Sequence, residues 1–431
     1  MELGRRRRSP PGGVAMSSLP TVDVVIPHYD DPAGLHRMLA AVARQTFPRE
    51  LLRIIVADDG SPRTPEIDAA DGPAVTVLKQ EDLGFRAAAA RNLGASAGTG
   101  EVLCFLDCDT VPAPGYVAAA VAGMDARTVT VGKRRHATFP VDVVGGDPLA
   151  GIFPLGDPDW LEDGYRATRD LADADDSSFR FVISAVLTVS RELFEAVGGF
   201  DGSIVGYGGE DWDFAWRLWR AGARFRRVAE AVAWHDGPDW AGRPADEATA
   251  AAEKNRETLL LARRITHPIA RPAGVVFNVP DVQVHLHRPA SWAPGAVAAT
   301  IAACLAAGDC RVVLPSDMTN PFPADPRVGP AVGGARAEVE LLHPVAEIPG
   351  GWARLMEAIE PAGRGAIIDP GGRPLARFIT ARHRHLRVWA RRGLAPHPGR
   401  RDVPVQIDGA DAGWRALRGP VRLEGRFAGW G

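Results

Sequence analysis

The chain has 431 residues, of which 46% are hydrophobic, and its formal net charge is -3 at pH 7. This length exceeds what one hydrophobic core usually sustains, so we expect more than one domain. The nearly balanced charge gives no global attraction to nucleic acid. No uninterrupted run of about 18 apolar residues occurs, so no membrane-spanning helix is predicted. The four cysteines form no CxxC pair, which favours reduced thiols and a cytosolic protein.

The first 20 residues form a basic segment rich in arginine and proline. They lack the apolar core of a signal peptide, and we predict that this leader is disordered. The sequence does not decide whether Met1 or Met16 is the first residue of the protein.

The following hundred residues or so alternate apolar strands with helical patterns. The predicted elements are, in chain order, strand 22–26, helix 35–45, strands 52–57 and 75–78, helix 85–97 and strand 102–106. This order is typical of a doubly wound α/β sheet. No GxGxxG motif follows the first strand, which argues against a dinucleotide-binding domain.

Two aspartates follow the last of these strands. The run VLCFL ends in Asp107 and Asp109, at the carboxyl end of a buried strand, where open α/β sheets bind ligands. Hard oxygen ligands suit Mg²⁺ or Mn²⁺ carried by a nucleotide diphosphate. Paired carboxylates also cap helices or lie solvated in turns, so the motif alone is a weak signal.

A second acidic motif, GGFDGSIVGYGGEDWDFAWRLW, spans residues 198–219. Gly206, Gly208 and Gly209 would let the backbone pass close to a bound sugar. Glu210 and Asp211 then begin a helix, whose amino end tolerates carboxylates. Capping is the simpler explanation for Asp213. On the same helix Trp216 and Trp219 are predicted to be core, whereas Trp212 could stack on a sugar ring.

Five segments resemble family 2 glycosyltransferases of the GT-A fold: VVIPHYDD, VADDGS, GFRAAAARNLGA, FLDCDTVP and GGFDGSIVGYGGEDWDFAWRL. The later ones resemble the galactosyltransferase-type carboxyl-terminal segment, which also occurs in bacterial chondroitin-type polymerases. The resemblance covers residues 21–268. It implies an α/β fold, with a GT-A doubly wound nucleotide-diphospho-sugar transferase domain followed by a smaller α/β domain.

The resemblance also implies which residues bind the nucleotide sugar: Pro27, His28, Tyr29, Asp59, Arg86, Arg91 and Asp107. Asp59 would accept a hydrogen bond from uracil N3–H, although Asp58 and Asp59 could instead cap the turn at Ser61. Arg86 and Arg91 could equally be surface or salt-bridged groups. The basic run 133–136, expected after strand 128–131, could neutralise a diphosphate or lie solvated at an edge.

By the same resemblance, Asp109 and His235 would hold Mn²⁺ or Mg²⁺, and the neighbouring Asp236 could orient the histidine ring. Asp211 would be the general base and Glu210 would hold sugar hydroxyls. Acceptor or sugar contacts would come from Gly208, Gly209 and Trp212. Retaining relatives typically carry histidine and asparagine at the positions of Asp109 and Asp211, so the two carboxylates favour an inverting enzyme.

Residues 269–431 are predicted to form a second α/β unit of unknown role, and one interpretation is that it is a degenerate repeat of the first. The predicted strands are 275–278, 282–287, 311–314 and 365–368, and the predicted helices are 295–307, 352–359 and 374–391. The basic run 377–401 could contact a membrane surface or a glycan, or be a solvated helix face.

The sequence therefore predicts a metal-dependent inverting glycosyltransferase of polysaccharide biosynthesis. It would move a hexose or N-acetylhexosamine from a nucleotide sugar, with UDP as the expected carrier, to a hydroxyl of a glycan or small molecule. Two alternatives are a sugar-nucleotide-binding pseudoenzyme that serves as a scaffold, and a nucleotidyltransferase. No nucleic-acid partner is expected.

Overall fold

The computed structural model describes residues 19–431 except 66, 68–72, 142–145, 239–246, 370, 396–402, 407–416, 418–420 and 422–431. The expected disordered leader therefore lies almost wholly outside the described residues. Across this described part, the strands form a nine-stranded and a seven-stranded sheet. Each sheet has its own hydrophobic core. The division at residue 268 stays a prediction, because Trp389 packs into the core of the first sheet.

The strands of the first sheet are β1 (Val22–His28), β2 (Leu52–Asp58), β3 (Ala74–Lys79), β4 (Val102–Leu106), β5 (Thr110–Pro112), β6 (Thr128–Thr138), β7 (Phe153–Pro154), β8 (Val186–Ser190) and β9 (Arg224–Asp236). Their spatial order is β3-β2-β1-β4-β8-β6-β9-β5, and β7 pairs with β6. The first four are parallel, whereas β8 is antiparallel to β4 and β6. Strands β6 and β9 are parallel, and β5 is antiparallel to β9.

Helices of this unit are α1 (Pro32–Ala43), α2 (Ala87–Ala97), α3 (Tyr116–Val121), α4 (Asp159–Ala167), α5 (Arg191–Ala196), α6 (Glu210–Arg220) and α7 (Glu247–Arg264). The start of α1 illustrates how the local sequence determines where a helix begins. The Asp31 side chain accepts the amide of Gly34, and Pro32 occupies the first turn, where it costs no hydrogen bond.

The strands and helices predicted between residues 22 and 106 are all present, with ends shifted by a few residues. Two local predictions are wrong. Arg86 is the residue before α2, not part of its first turn. The basic run 133–136 lies inside β6, which continues to Thr138 because it stays paired with β9.

The second sheet consists of β10 (Val282–Leu286), β11 (Cys310–Val313), β12 (Val328–Gly329), β13 (Ala337–Leu341), β14 (Arg364–Ile368), β15 (Pro374–Thr380) and β16 (Val403–Gln406). Its helices are α8 (Ala296–Ala306), α9 (Gly351–Ala362) and α10 (Ala381–Arg391). The spatial order is β12-β11-β10-β13-β15-β14-β16.

This second order reproduces that of the first sheet. If β10 to β16 are matched in chain order to β1, β2, β3, β4, β6, β8 and β9, both sheets have the same sequence of neighbours. The strand directions agree as well. Counted from β12, the second sheet has three parallel pairs, then two antiparallel pairs and a final parallel pair, and the first sheet has the same series when counted from β3 to β9. Such agreement is what the expected degenerate repeat requires.

Two predictions in this unit are wrong. Residues 275–278 form no strand; Val275 and Val276 are each 49% exposed, and prolines at 272 and 280 flank them. Residues 374–391 are not one helix, because the first seven form β15 between β13 and β14. Thr380 then caps α10 by accepting the amide of His383.

Among the described helices, none is both long and apolar enough to cross a bilayer. The four cysteines are buried free thiols. The basic face of α10 contacts the protein itself at two points, since Arg382 lies over the Trp219 ring and Arg384 pairs with Glu338.

Candidate functional site

One cavity of about 750 Å³ opens at the carboxyl ends of β1, β2 and β4. It brings together nearly all residues that the sequence singled out: Pro27, His28, Tyr29, Asp59, Arg91, Asp107, Asp109, Gly208, Gly209, Glu210, Asp211, Trp212 and His235. Arg86 does not line it. The two acidic motifs, a hundred residues apart in the chain, thus face one space.

At one end of the cavity, His28 is held by a buried hydrogen-bond network. Its Nδ1 lies 2.9 Å from Asp58 Oδ1, and its Nε2 accepts the backbone amide of Asp31 at 3.3 Å. Asp58 also accepts the amide and hydroxyl of Ser61. Asp58 is fully buried, so it shapes the loop, as the capping interpretation proposed.

Asp59, by contrast, lines the cavity, and each oxygen of its carboxylate accepts a hydrogen bond from the protein. Oδ2 accepts the backbone amide of Arg86 at 2.7 Å, and Oδ1 accepts the Gln80 side-chain amide at 2.5 Å. Each carboxylate oxygen can accept a further hydrogen bond. Tyr29 is half exposed and donates to Asp82.

Arg91 connects the two acidic motifs. Its Nη2 lies 2.6 Å from Asp107 Oδ1, and its Nη1 lies 3.2 Å from Glu210 Oε1. The side chain is only 2% exposed. Burial alone lowers the pKa of Arg91, but the charges of Asp107 and Glu210 outweigh it and raise the pKa above its ordinary value. Arg91 is therefore a buried cation held by two ion pairs, as the salt-bridged alternative proposed, and is not a solvated surface group.

The acid pair at the start of α6 holds its protons more tightly than ordinary carboxyls do. Burial, followed by the charge of Asp211, raises the pKa of Glu210 to about 7. Burial also raises the pKa of Asp211, although Arg91 and the Ser184 hydroxyl oppose it. Ser184 donates to Asp211 Oδ1. A carboxyl tuned toward neutral pH suits proton transfer.

The glycine loop before α6 needs glycine for two reasons. Gly208 and Gly209 have φ values of 88° and 94°, in the left-handed region that favours glycine. A side chain at Gly208 would also approach the Glu257 carboxyl of α7 to 3.0 Å. Helix α7 thus packs against the loop. Gly208 and Gly209 also line the cavity, and the expectation that they let the backbone pass close to a bound sugar stays a prediction.

Asp109 and His235 meet because β5 pairs with β9, which sets Thr110 opposite His235. His235 Nε2 lies 3.5 Å from Asp109 Oδ2, and Nδ1 lies 3.3 Å from the Gly237 carbonyl. That carbonyl orients the ring; the expectation that Asp236 does so is wrong, since its Oδ1 accepts the Phe139 amide.

The donor set of this pair suits a divalent cation only with additional ligands. Nδ1–H donation to Gly237 leaves the Nε2 lone pair directed at Asp109. In the described ranges, no group of three or more His, Cys, Asp or Glu side chains could hold a metal alone. Cations that accompany nucleotide diphosphates typically take one or two protein ligands and complete their shell with phosphates and water. The pair fits that arrangement.

The remaining acid of the motif has a structural task. Asp213 is buried and pairs with Arg217 through both guanidinium Nε and Nη2, at 2.9 and 2.7 Å. Trp216 and Trp219 are 1% and 7% exposed, which confirms their assignment to the core.

Sequence reasoning missed several residues that line the cavity, among them Phe85, Trp160, Ile183, Tyr207, Glu253, Lys254 and Glu257. Trp160 lies on α4 and is 48% exposed. Trp212 is more enclosed, since Lys254 Nζ lies 5.9 Å from its ring centroid and Phe179 packs against it edge-on. An exposed tryptophan in a charged segment gives no periodic signal, which is why the sequence did not reveal Trp160.

Comparisons with known proteins agree with this geometry. Residues 23–197 match the model of glycosyl transferase family 2, and residues 175–234 match a model described as the N-terminal domain of galactosyltransferase. These matches show that the first unit is similar to glycosyl transferase family 2 over residues 23–197. The chain also resembles chondroitin-type polymerases.

Three relatives illustrate the range of the family. Validoxylamine A glucosyltransferase of Streptomyces hygroscopicus is 34% identical over 47% of this chain and 52% of its own length. Pre-mycofactocin glycosyltransferase of Mycobacterium tuberculosis is 32% identical over 52% and 45%. Chondroitin synthase of Escherichia coli is 26% identical over 57% and 38%. The chain thus spans about half or less of these relatives.

Among solved structures, a mannosyltransferase of Pyrobaculum calidifontis in complex with GDP-Man and Mn²⁺ has a TM-score of 0.41 and 19% identity, over 59% of this chain and 67% of its own. This likeness is too distant to support an argument about donor or metal.

The raised pKa of Glu210 predicts a pH-dependent stability. The ordinary pKa of a glutamate is 4.5, and burial raises that of Glu210 to about 7. Between these two pH values, Glu210 keeps its proton in the folded chain but has lost it in the unfolded chain. The stability from this group is fully present below about pH 4.5 and is lost as the pH rises through about 7. Glu210→Gln removes that loss, so urea unfolding should show the variant gaining stability relative to wild type between about pH 5 and about pH 8.

A matched control is Glu360→Gln on α9, where burial and then Asp176 also raise the pKa to about 7. It should show the same pH trend although Glu360 does not line the cavity, so it reports the effect of a buried carboxyl outside the candidate site. If the free energies of unfolding of Glu210→Gln and wild type differed by the same amount at about pH 5 and at about pH 8, the raised pKa of Glu210 would be contradicted.

Proposed function

We propose that the chain is a metal-dependent inverting glycosyltransferase that moves a hexose or N-acetylhexosamine from a UDP sugar to a hydroxyl of a glycan or small molecule. The observation that carries the proposal is the shared cavity, in which the Asp109–His235 pair and the Asp211–Glu210 pair face the same space. A divalent cation bound there would offset the negative charge that builds on the departing diphosphate.

The nucleotide would lie at the end of the cavity formed by residues 27–29 and Asp59. The fixed carboxylate of Asp59 can accept the N3–H of uracil, and the exposed ring of Tyr29 offers an apolar face. Asp107 would contact the ribose or a metal-bound water. Arg91 would hold Asp107 in place through their ion pair, in which Nη2 lies 2.6 Å from Oδ1.

Asp211 would take the proton of the acceptor hydroxyl. Its Oδ1 is anchored by Ser184, which leaves the second oxygen to act. Glu210, tied to Arg91, would hold a sugar hydroxyl. With a carboxylate base on the acceptor side, a single in-line displacement that inverts the anomeric centre is the supported course.

The acceptor would rest on Trp160. This ring neighbours Phe181, whose segment continues through Ile183 to Ser184, the partner of Asp211. Trp160 and Asp211 also line the same cavity. The half-exposed face of Trp160 can cover the apolar face of a pyranose ring. Trp212 also lines the cavity, but part of its ring is covered by Phe179.

The overall test is release of nucleoside diphosphate from a panel of UDP, TDP and GDP sugars with Mn²⁺, since glycosyltransferases usually hydrolyse their donor slowly. Release from a UDP sugar supports the proposal. Release from none of them, with Mn²⁺ or Mg²⁺, overturns it.

The incomplete protein ligand set predicts that metal and nucleotide bind together. In calorimetry, UDP with Mn²⁺ should bind far more tightly than UDP alone, and Mn²⁺ alone should bind weakly. Asp109→Ala should abolish the gain from Mn²⁺. Equal UDP affinity with and without Mn²⁺ would remove the metal from the mechanism, and tighter binding of GDP than UDP would refute the role of Asp59.

Replacing Asp211 by asparagine keeps the shape and the Ser184 contact but removes the base. We expect transfer to fall by roughly 10²–10⁴-fold while UDP affinity is unchanged. Proton magnetic resonance of the fresh product should show a β-linkage from an α-linked donor. An α-linked product, or near-normal turnover in the variant, would show that the base lies elsewhere.

Trp160→Ala should raise the KM for a pyranoside acceptor by roughly tenfold or more and leave donor hydrolysis unchanged. Validoxylamine A and p-nitrophenyl glycosides are suitable acceptors for the assay. Trp160→Phe should keep part of the affinity, and Phe153→Ala, an exposed aromatic outside the cavity lining, is the control. An unchanged acceptor KM in Trp160→Ala would refute the proposal that the acceptor rests on Trp160.

A further inference from the structure

The second unit repeats the strand order of the first without the groups that form its site. Asp107 follows β4, whereas Leu342 follows the equivalent strand β13. Asp59 follows β2, whereas Leu314 follows the equivalent strand β11. The carboxyl ends of the second sheet therefore lack the carboxylates on which the first site depends.

What the second unit does contact is the carboxyl end of α6, the helix that begins with the acid pair. Arg382 on α10 donates from Nη1 to the Trp219 carbonyl at 2.6 Å, and its guanidinium lies 3.7 Å from the centroid of the Trp219 ring. Trp389, also on α10, donates from Nε1 to the Ala221 carbonyl at 2.8 Å. Two terminal carbonyls of α6 are thus bound by the other unit.

Packing supports these hydrogen bonds. Trp389 is only 3% exposed. Gly222, which ends the turn after α6, has a φ of 91°, and a side chain there would lie 3.0 Å from Leu386 on α10. In the reverse direction, Arg220 donates to the Ala335 carbonyl at 3.0 Å. The contact is close on both sides and involves backbone as well as side chains.

The physical effect follows from the geometry of a helix. Its last carbonyls have no partner within the helix, and a cation near them is favourable because the helix dipole is negative at that end. Arg382 supplies that cation. Since a helix of 11 residues moves as a rigid rod, fixing its carboxyl end also fixes Glu210 and Asp211 at its amino end.

We propose that residues 269–431 are a catalytically silent copy of the first fold that braces α6, with Arg382 and Trp389 as positioning residues for the acid pair. The proposal rests on the proposed function in one respect, since it takes the acid pair as the catalytic machinery. It gives the second unit a task in the reaction without a site of its own.

The matched pair Trp389→Phe and Trp352→Phe tests the brace. Both replacements remove a buried indole N–H that donates to a backbone carbonyl. Trp389 donates to Ala221 after α6, whereas Trp352 packs in the core of the second sheet and donates to Cys304 at 3.0 Å. Both should lose similar stability. Only Trp389→Phe should lower kcat, by roughly tenfold because a small misplacement of reacting groups is costly, with the KM for the UDP sugar unchanged.

Two further measurements keep the test independent of folding and of activity. Arg382→Met, which keeps an unbranched side chain but removes the charge and the N–H donors, should lower kcat in the same way. The pH dependence of unfolding that is linked to Glu210 should change in Trp389→Phe and stay as in wild type in Trp352→Phe, because only the former alters the distance between Glu210 and Arg91.

The outcomes are distinct. Equal kcat and equal pH dependence in Trp389→Phe and Trp352→Phe would overturn the brace. Calorimetric binding of UDP with Mn²⁺ should saturate at one site per chain, and a second site of similar affinity would overturn the silent copy. Failure of the wild-type chain to release UDP from any sugar nucleotide would refute the proposed function, while the pH dependence of unfolding still decides the brace.

Discussion

The arrangement of the cavity depends on one buried cation, Arg91. It comes from α2 and holds Asp107 at the end of β4 and Glu210 at the start of α6. Without a cation between them, two carboxylates in so enclosed a space would repel each other or take up protons. Breaking a buried ion pair typically costs about 3–5 kcal/mol, so the stability of the fold and the geometry of the cavity are coupled through this side chain.

Helix α6 is organised around the same principle of compensating charge. Its amino end carries Glu210, Asp211 and Asp213, and its carboxyl end meets Arg382 from α10, so that the charges at both ends oppose the helix dipole. The acid pair gains its unusual proton affinity chiefly from burial. The buried position of the start of α6 therefore also raises the pKa values of Glu210 and Asp211.

The sequence predicted those parts of the fold and site in which local pattern and tertiary context agree. Apolar runs ending in aspartate identified β2 and β4 and the cavity at their ends, and the glycine-acid motif identified the start of α6. It failed where long-range pairing decides, as in β15, whose residues resemble a helix until they are seen between two neighbouring strands. It also missed Ser184 and Trp160, because contacts between distant segments leave no periodic trace.

The identical strand order of the two sheets creates a problem during folding, before either unit has a function. Chains that carry related units can exchange equivalent elements and form misassembled states. The counterparts that pair with β1 and β10 differ in length, since β2 has seven residues and β11 has four. A four-residue strand that paired with β1 would leave part of β1 without hydrogen-bond partners, which disfavours this exchange relative to the native pairing.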